Sequence, residues 1–230
     1  MSCRSIIEVS WQVDLDLTSN SYKIRLISMA VLIASLSAIG GVSLWKMTQA
    51  GSQSRLSSLL VLPDARVISE FRLMDHHSQD FTLADLRGKW SLIFFGFINC
   101  PDVCPGTLFE LQKVTEALEK QLEAETDRPQ VIFVSVDPER DTAAKLEQYL
   151  SYFDPGFTGV TGVHGQMLPF ALQMGIAYHI EDHEPDTQIY DVAHSASVLL
   201  TDPEGRLYGV FPAPHNANKI AADLIEIIEN

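Results

Sequence analysis

The sequence predicts an α/β domain, and three observations carry that prediction. An apolar segment over residues 90–97 runs into a stretch of helical period from about Pro105 to Ala124. A second, β-branched run over 131–136 also leads into a helix. The chain then closes on a hairpin, 196–201 with 207–211, and an amphipathic helix over 217–229. Strand, helix, strand, helix, hairpin, helix is the order of a thioredoxin-like fold. A small N-terminal β-hairpin is added to it, and one transmembrane helix is predicted further upstream.

The elements follow in order. Residues 26–45 hold no ionisable side chain for twenty positions. At 1.5 Å per residue they span about 30 Å, the thickness of a bilayer's hydrocarbon. Lys23 and Arg25 precede this run, and Trp45 and Lys46 close it. A signal peptide cut after Thr48-Gln49-Ala50 is the rival reading. The run is long for a signal sequence and a polar segment precedes it, which favours an uncleaved anchor. The domain reading is therefore a short cytoplasmic segment over 1–23, an anchor over 24–46, a Ser- and Gln-rich linker over 47–65 and a folded domain over 66–230. Within that domain, 67–74 and Phe81-Thr82-Leu83 flank a polar turn and read as the added hairpin. Leu108, Leu111, Val114, Leu118 and Leu122 recur at helical spacing behind Pro105, which suits a helix start. Pro138-Glu139-Arg140-Asp141 reads as the start of the next helix, ending near Phe153, and 166–174 as a third.

The net charge of −14 falls on residues 46–230, which hold 13 Lys+Arg against 27 Asp+Glu. Such a domain is repelled by nucleic acid and by anionic lipid, and is attracted to basic protein patches. The basic residues flanking the anchor favour a cytoplasmic N-terminus and an exported C-terminal domain. That places the domain in a bacterial periplasm, or on the intermembrane-space side in an organelle. Cys3 falls before the anchor and reads as an incidental thiol.

Cys100-Pro101-Asp102-Val103-Cys104-Pro105 carries the chemistry. An apolar strand delivers one thiol to its exit, and the second follows on the first turn of a helix. Thiols at i and i+4 lie about 5–6 Å apart, within reach of one metal ion, and a small adjustment brings them into disulfide geometry. The helix N-terminus favours the thiolate at both positions. Two thiolates are few for zinc, whereas soft thiolates select Cu(I), and an added imidazole suits Cu(II). Of the seven histidines, His76, His77, His164, His179, His183 and His215 read as surface residues in turns and loops. His194 differs, because Asp191-Val192-Ala193-His194-Ser195 stands just before the buried strand of the last hairpin. In a thioredoxin-like order that loop faces the cysteine loop, which makes His194 the candidate third ligand. Asp137 ends a buried strand on the same sheet edge. Capping of the following helix and a local ion pair with Arg140 account for it, and support of the site is the other reading.

Gly96-Phe97-Ile98-Asn99-Cys100-Pro101-Asp102-Val103-Cys104-Pro105 closely resembles the signature of the Sco/SenC family. Val134-Ser135-Val136-Asp137-Pro138-Glu139-Arg140-Asp141-Thr142 is similar to its second block. Tyr190-Asp191-Val192-Ala193-His194-Ser195 with Asp202-Pro203-Glu204-Gly205 is similar to its third. The resemblance covers roughly residues 66–230. It implies a membrane-tethered, thioredoxin-like copper protein that helps assemble the CuA centre of cytochrome c oxidase, with oxidase subunit II or another copper-accepting protein as the acceptor. It implies copper ligation by Cys100, Cys104 and His194. Two positions depart from the family pattern. Asn99 stands where the family often has His, and Ala193 where it often has Asp, which removes a carboxylate beside the histidine.

Three activities compete. Copper binding and delivery is the first. A thiol:disulfide oxidoreductase, with Cys100 and Cys104 as its redox pair, is the enzymatic alternative, though three residues between the thiols and an unemployed His194 argue against it. A peroxiredoxin-like peroxidase needs Thr three residues before its reactive Cys, and Phe97 and Pro101 hold those places. A disulfide between Cys100 and Cys104 is expected for the oxidised, metal-free protein.

Overall fold

The computed structural model describes residues 25–29, 31–32, 56–122, 128–184, 187 and 190–229. The chain divides into two compact units, Met1–Arg55 and Leu56–Asn230. Of the first, the described residues 25–29 and 31–32 are helical. Among the described residues no helix is long and apolar enough to cross a membrane. The rest of the anchor expected over 24–46, and Cys3, lie outside them.

Strands in the second unit are β1 (Leu60–Val67), β2 (Arg72–Asp75), β3 (Asp80–Thr82), β4 (Ser91–Gly96), β5 (Gln130–Ser135), β6 (Thr158–Thr161), β7 (Tyr178–Ile180), β8 (Val192–His194), β9 (Val198–Thr201) and β10 (Arg206–Phe211). Its helices are α1 (Val103–Glu119), α2 (Ala143–Leu150), α3 (His164–Gln173) and α4 (Ala217–Ile228), with a one-turn 3₁₀ helix at Leu83–Leu86. Eight strands form one sheet in the order β1-β10-β9-β4-β5-β6-β2-β3, and β7 pairs with β8 as a separate ribbon. β4, β5 and β6 run parallel, while β9 runs antiparallel to β4.

Why β4 and β5 sit at the centre follows from their composition. Leu92-Ile93-Phe94-Phe95 and Val131-Ile132-Phe133-Val134 are apolar without alternation, and all eight are buried. A strand reads that way only when both sheet faces are covered. β10 alternates half-buried and buried residues along its length, as expected of a strand with one covered face. α1 buries Cys104, Thr107, Leu108, Leu111, Val114 and Leu118 at intervals of three and four residues.

The hairpin expected near the N-terminus is present as β2 and β3, with Leu73 opposite Phe81. The linker expected over 47–65 does not extend to its end, because β1 begins at Leu60 and pairs antiparallel with β10. β1 is an edge strand whose register shifts between Val61 and Arg66, around Pro63. Proline and a bulge are tolerated on such an edge, and the mostly exposed strand shows no period-two pattern. Asp223 of α4 fastens its approach. Its carboxylate accepts the N–H groups of Ser57 (2.8 Å), Ser58 (2.7 Å) and Leu59 (2.9 Å) and the hydroxyl of Ser58 (2.7 Å).

The helix expected to open at Pro138 begins at Ala143 instead. Thr142 is its cap, with a hydroxyl that accepts the Lys145 N–H. Asp137 therefore does not cap it. α1 begins two residues earlier than its proline suggests, which puts Cys104 inside the helix.

Candidate metal centre

The parallel strands β4 and β5 end side by side, and the chain turns outward from both, which is where open α/β sheets carry their sites. From β4 the chain passes through Phe97-Ile98-Asn99 to Cys100 and enters α1 at Val103. Cys100 is half-buried and Cys104 fully buried, and both are free thiols. The Cys104 N–H donates to Cys100 Sγ at 3.3 Å, so a backbone donor of the first helical turn already faces that sulfur. The third group comes from the β7–β8 ribbon. His194 closes β8, opposite Tyr178 of β7, and its Nε2 lies 3.4 Å from Cys104 Sγ.

Cys100 Sγ, Cys104 Sγ and a His194 ring nitrogen lie within 4.8 Å of one another. Among the described residues they are the one group of three or more His, Cys, Asp or Glu side chains so disposed. The imidazole is held for ligation. Nδ1–H donates to the Ser195 carbonyl at 2.9 Å, which leaves the Nε2 lone pair turned toward Cys104. Phe94 and Phe97 present their rings to the imidazole edge to face, at 6.1 and 5.7 Å between centroids. The Ser195 carbonyl thus orients the ring, and the neighbouring Ala193 is exposed. Asn99 is exposed as well.

Electrostatics follow from burial. Against the thiolate expected at the helix start, burial pushes the Cys104 thiol well up, and its hydrogen bond with Cys100 adds to this, while a Phe97 backbone bond opposes it. Burial also lowers His194, against the pull of its Ser195 bond, so the imidazole is neutral at physiological pH. A neutral imidazole and a buried thiol form a soft donor set with no charge until a cation displaces the thiol proton.

Further residues support the three groups. Gly96 leaves room for the thiol: a Cβ there would lie 2.9 Å from Cys104 Sγ and 2.7 Å from Phe133 Cε2. The Asp141 carboxylate, 1% exposed, accepts the Ile98 N–H of the cysteine loop at 2.9 Å and the Ser135 hydroxyl at 2.6 Å. Burial pushes that carboxyl up to about 6, against those two bonds. Asp137 and Arg140, 0% and 4% exposed, form the expected ion pair. His215, expected at the surface, is half-buried and donates from Nε2 to the Ala196 carbonyl at 2.7 Å, fixing the loop after His194. His183 also leaves the surface set, because it stacks on the Tyr190 ring at 3.7 Å. A glycine inside an otherwise apolar strand is a sequence sign of close approach. No local pattern distinguishes Asp141 from the charged residues beside it.

Comparison with known proteins bears on the family and the fold. Residues 62–229 match the family model SCO1/SenC. The chain is 36% identical over 176 residues to a putative copper-binding protein of Stutzerimonas stutzeri, covering 76% of this chain and 83% of the relative. It is 36% identical over 157 residues to the mitochondrial protein SCO2 homolog of Mus musculus, covering 67% of this chain and 60% of the relative. Among solved structures it is similar to yeast Sco1 with copper bound, at a TM-score of 0.66 and 30% identity over 72% of this chain and 90% of that one. ScoI of Bradyrhizobium japonicum with copper bound gives a TM-score of 0.60 and 35% identity, over 69% of this chain and 97% of that one.

Proposed function

The chain belongs to the SCO1/SenC family, and from that membership we propose that it binds copper at Cys100, Cys104 and His194 and delivers it during cytochrome c oxidase assembly. The observation that carries the reading is the convergence of two sulfurs and one oriented imidazole nitrogen within 4.8 Å. Copper is cargo in this account. Two thiolates and an imidazole satisfy Cu(I), which accepts low coordination numbers, and also hold Cu(II). A structural zinc would need a fourth protein ligand, and the group of three holds none.

Delivery follows from the unequal burial of the donors. Cys104 lies on the sealed side against Phe133 and Gly96, whereas Cys100 is half-exposed at the mouth of the loop. Incoming thiolates of an acceptor displace ligands from the open side first, and Cys104, the one fully buried donor, releases the ion last. The acceptor we assign is the CuA-bearing subunit II of the oxidase. The strongly acidic exported domain repels nucleic acid and favours a partner with basic patches. The anchor over 24–46 would hold the domain at the membrane face where that partner matures, in a periplasm or an intermembrane space.

A second reading has its own support. Both thiols are free and their sulfurs lie within 4.8 Å of each other, so a disulfide between them needs only a short further approach. In that activity Cys100 is the accessible thiol and Cys104 the resolving one, and His194 has no role. Copper titration of the anaerobically purified protein separates the two. Copper bound at one per chain and weakened by His194→Ala supports the first reading. Equal affinity in wild type and His194→Ala removes His194 from the site.

A further inference from the structure

The two segments that bring the ligands together share no strand pairing. The cysteine loop belongs to β4 and α1 of the main sheet, whereas His194 belongs to the β7–β8 ribbon, a separate two-stranded unit. The loop after His194 is tied to the main sheet where Val198 of β9 pairs with Phe94, and His215 holds it at Ala196. Neither grips the ribbon on its other side, and the 3.4 Å approach of Nε2 to Cys104 Sγ depends on both sides. The five residues Asp137-Pro138-Glu139-Arg140-Asp141, which follow β5 after Val136, reach both segments.

On the ribbon side, the grip is on Tyr190, which stands just ahead of β8. The Tyr190 hydroxyl donates to Asp137 Oδ1 at 2.7 Å. Arg140 Nη1–H donates to the Tyr190 carbonyl at 3.0 Å. The Arg140 guanidinium also lies over the Tyr190 ring, 3.6 Å from its centroid. His183 stacks on the same ring at 3.7 Å and 9°. Two groups that close cannot share one face, so Tyr190 is clamped between them. His183 is fastened in turn: Nε2 meets the Glu139 carboxylate at 3.0 Å and Nδ1 meets the Glu181 carbonyl at 2.8 Å.

On the cysteine side the same five residues hold the loop. Asp141 accepts the Ile98 N–H, two residues before Cys100, at 2.9 Å. The guanidinium that covers Tyr190 also lies 5.7 Å from the Phe97 ring, which itself faces His194. Asp137 and Asp141 are tied together by the Asp141 N–H and the Asp137 carbonyl at 2.9 Å, so the two grips cannot move independently. An ion pair this deeply buried costs desolvation and contributes little net stability. Its retention beside the site is accounted for by geometry.

We infer that residues 137–141 form a bracket that fixes the distance between the cysteine loop and the histidine ribbon, with Tyr190, Arg140 and Asp141 as positioning residues for His194 and Cys100. This rests on the copper reading for its consequence, though its geometry does not. Groups that orient metal ligands typically affect metal affinity by about 10- to 100-fold. Tyr190→Phe is the mildest perturbation, because it keeps the ring in its clamp and removes one hydroxyl.

The experiment is a double-mutant cycle on the full-length protein, titrated anaerobically with Cu(I). Tyr190→Phe should weaken copper binding about tenfold in the wild-type background, and not at all beyond His194→Ala. Asp141→Ala, acting through the cysteine loop, should weaken it in both backgrounds. Provided that His194→Ala itself weakens copper binding, a Tyr190→Phe effect that is absent, or that is the same with and without His194, overturns the bracket. Amide hydrogen exchange of residues 190–194 in the copper-free protein is the arm that needs no metal. It should rise in Tyr190→Phe and in a second variant, His183→Ala, and unchanged exchange in both overturns the bracket. If exchange rises but His194→Ala itself leaves copper affinity untouched, the bracket stands and the copper reading fails.

Discussion

Gly96→Ala tests the packing under the site, because two physical effects predict opposite signs for it. On backbone grounds alone, replacing glycine in an extended strand stabilises a protein by about 0.4–1 kcal/mol, since the unfolded chain loses freedom. Sterics oppose this. The new methyl would sit 2.7 Å from Phe133 Cε2, 2.9 Å from Cys104 Sγ and 3.2 Å from Phe133 Cζ. Non-bonded carbon contacts settle near about 3.5–4.0 Å, so each neighbour must retreat by roughly 0.6 Å or more. Neither can do so freely. Phe133 and Cys104 are both 0% exposed, and β4 is held at this point by the Val136 N–H to Gly96 carbonyl bond at 2.9 Å. Overpacking of this kind costs about 1–3 kcal/mol, which outweighs the backbone gain. The sulfur has the easier way out, and its retreat alters its 3.4 Å separation from His194 Nε2. Urea unfolding of the copper-free variant should show a loss of about 1–2 kcal/mol, and copper affinity should fall at least tenfold by the same retreat of Cys104. A variant as stable as wild type, binding copper equally well, would refute the claim that Gly96 is there to seat the thiol.

Two further predictions concern buried carboxylates of opposite sign. Burial works against ionisation of Asp223, but the Ser57, Ser58 and Leu59 donors outweigh it and hold its carboxyl below the usual range. The stability Asp223 contributes is therefore present above about pH 4 and is lost as pH falls through its lowered value. Asp223→Asn should cost about 2–4 kcal/mol at pH 7 in urea unfolding, through unpaired backbone donors at 57–59, and an effect below about 0.5 kcal/mol would contradict the clasp. Asp141 runs the other way, being pushed up to about 6. Its contribution is complete below about pH 4 and is lost as pH rises through about 6, amounting to about 3 kcal/mol. Asp141→Asn should flatten the stability profile between those limits, and an unchanged profile would show that Asp141 does not titrate there.

What the sequence made legible depends on where a residue's partners lie. β4, β5 and α1 are local patterns, an unbroken apolar run or a helical repeat, and they stand within two residues of expectation at most ends. Cys100, Cys104 and His194 are legible because thiols and imidazoles are few and the element order puts their loops together. β1 was hidden because an edge strand with a bulge at Pro63 looks like a linker. β7 and β8, three residues each, are too short to show a period. Asp223 and Asp141 were hidden for another reason. A charged residue in a helix or turn reads as solvated, and only the folded chain brings Ser57–Leu59 or Ile98 to it. His183 and His215 escaped in the same way, since flanking sequence says nothing of the Tyr190 ring or the Ala196 carbonyl.

X-ray absorption at the copper edge, on protein loaded at one copper per chain, tests the central claim most directly. The account predicts two sulfur scatterers and one imidazole nitrogen in wild type. It predicts loss of the nitrogen in His194→Ala, and loss of bound copper in the Cys100→Ser, Cys104→Ser double variant. A first coordination sphere without sulfur, or copper retained by that double variant, would contradict it.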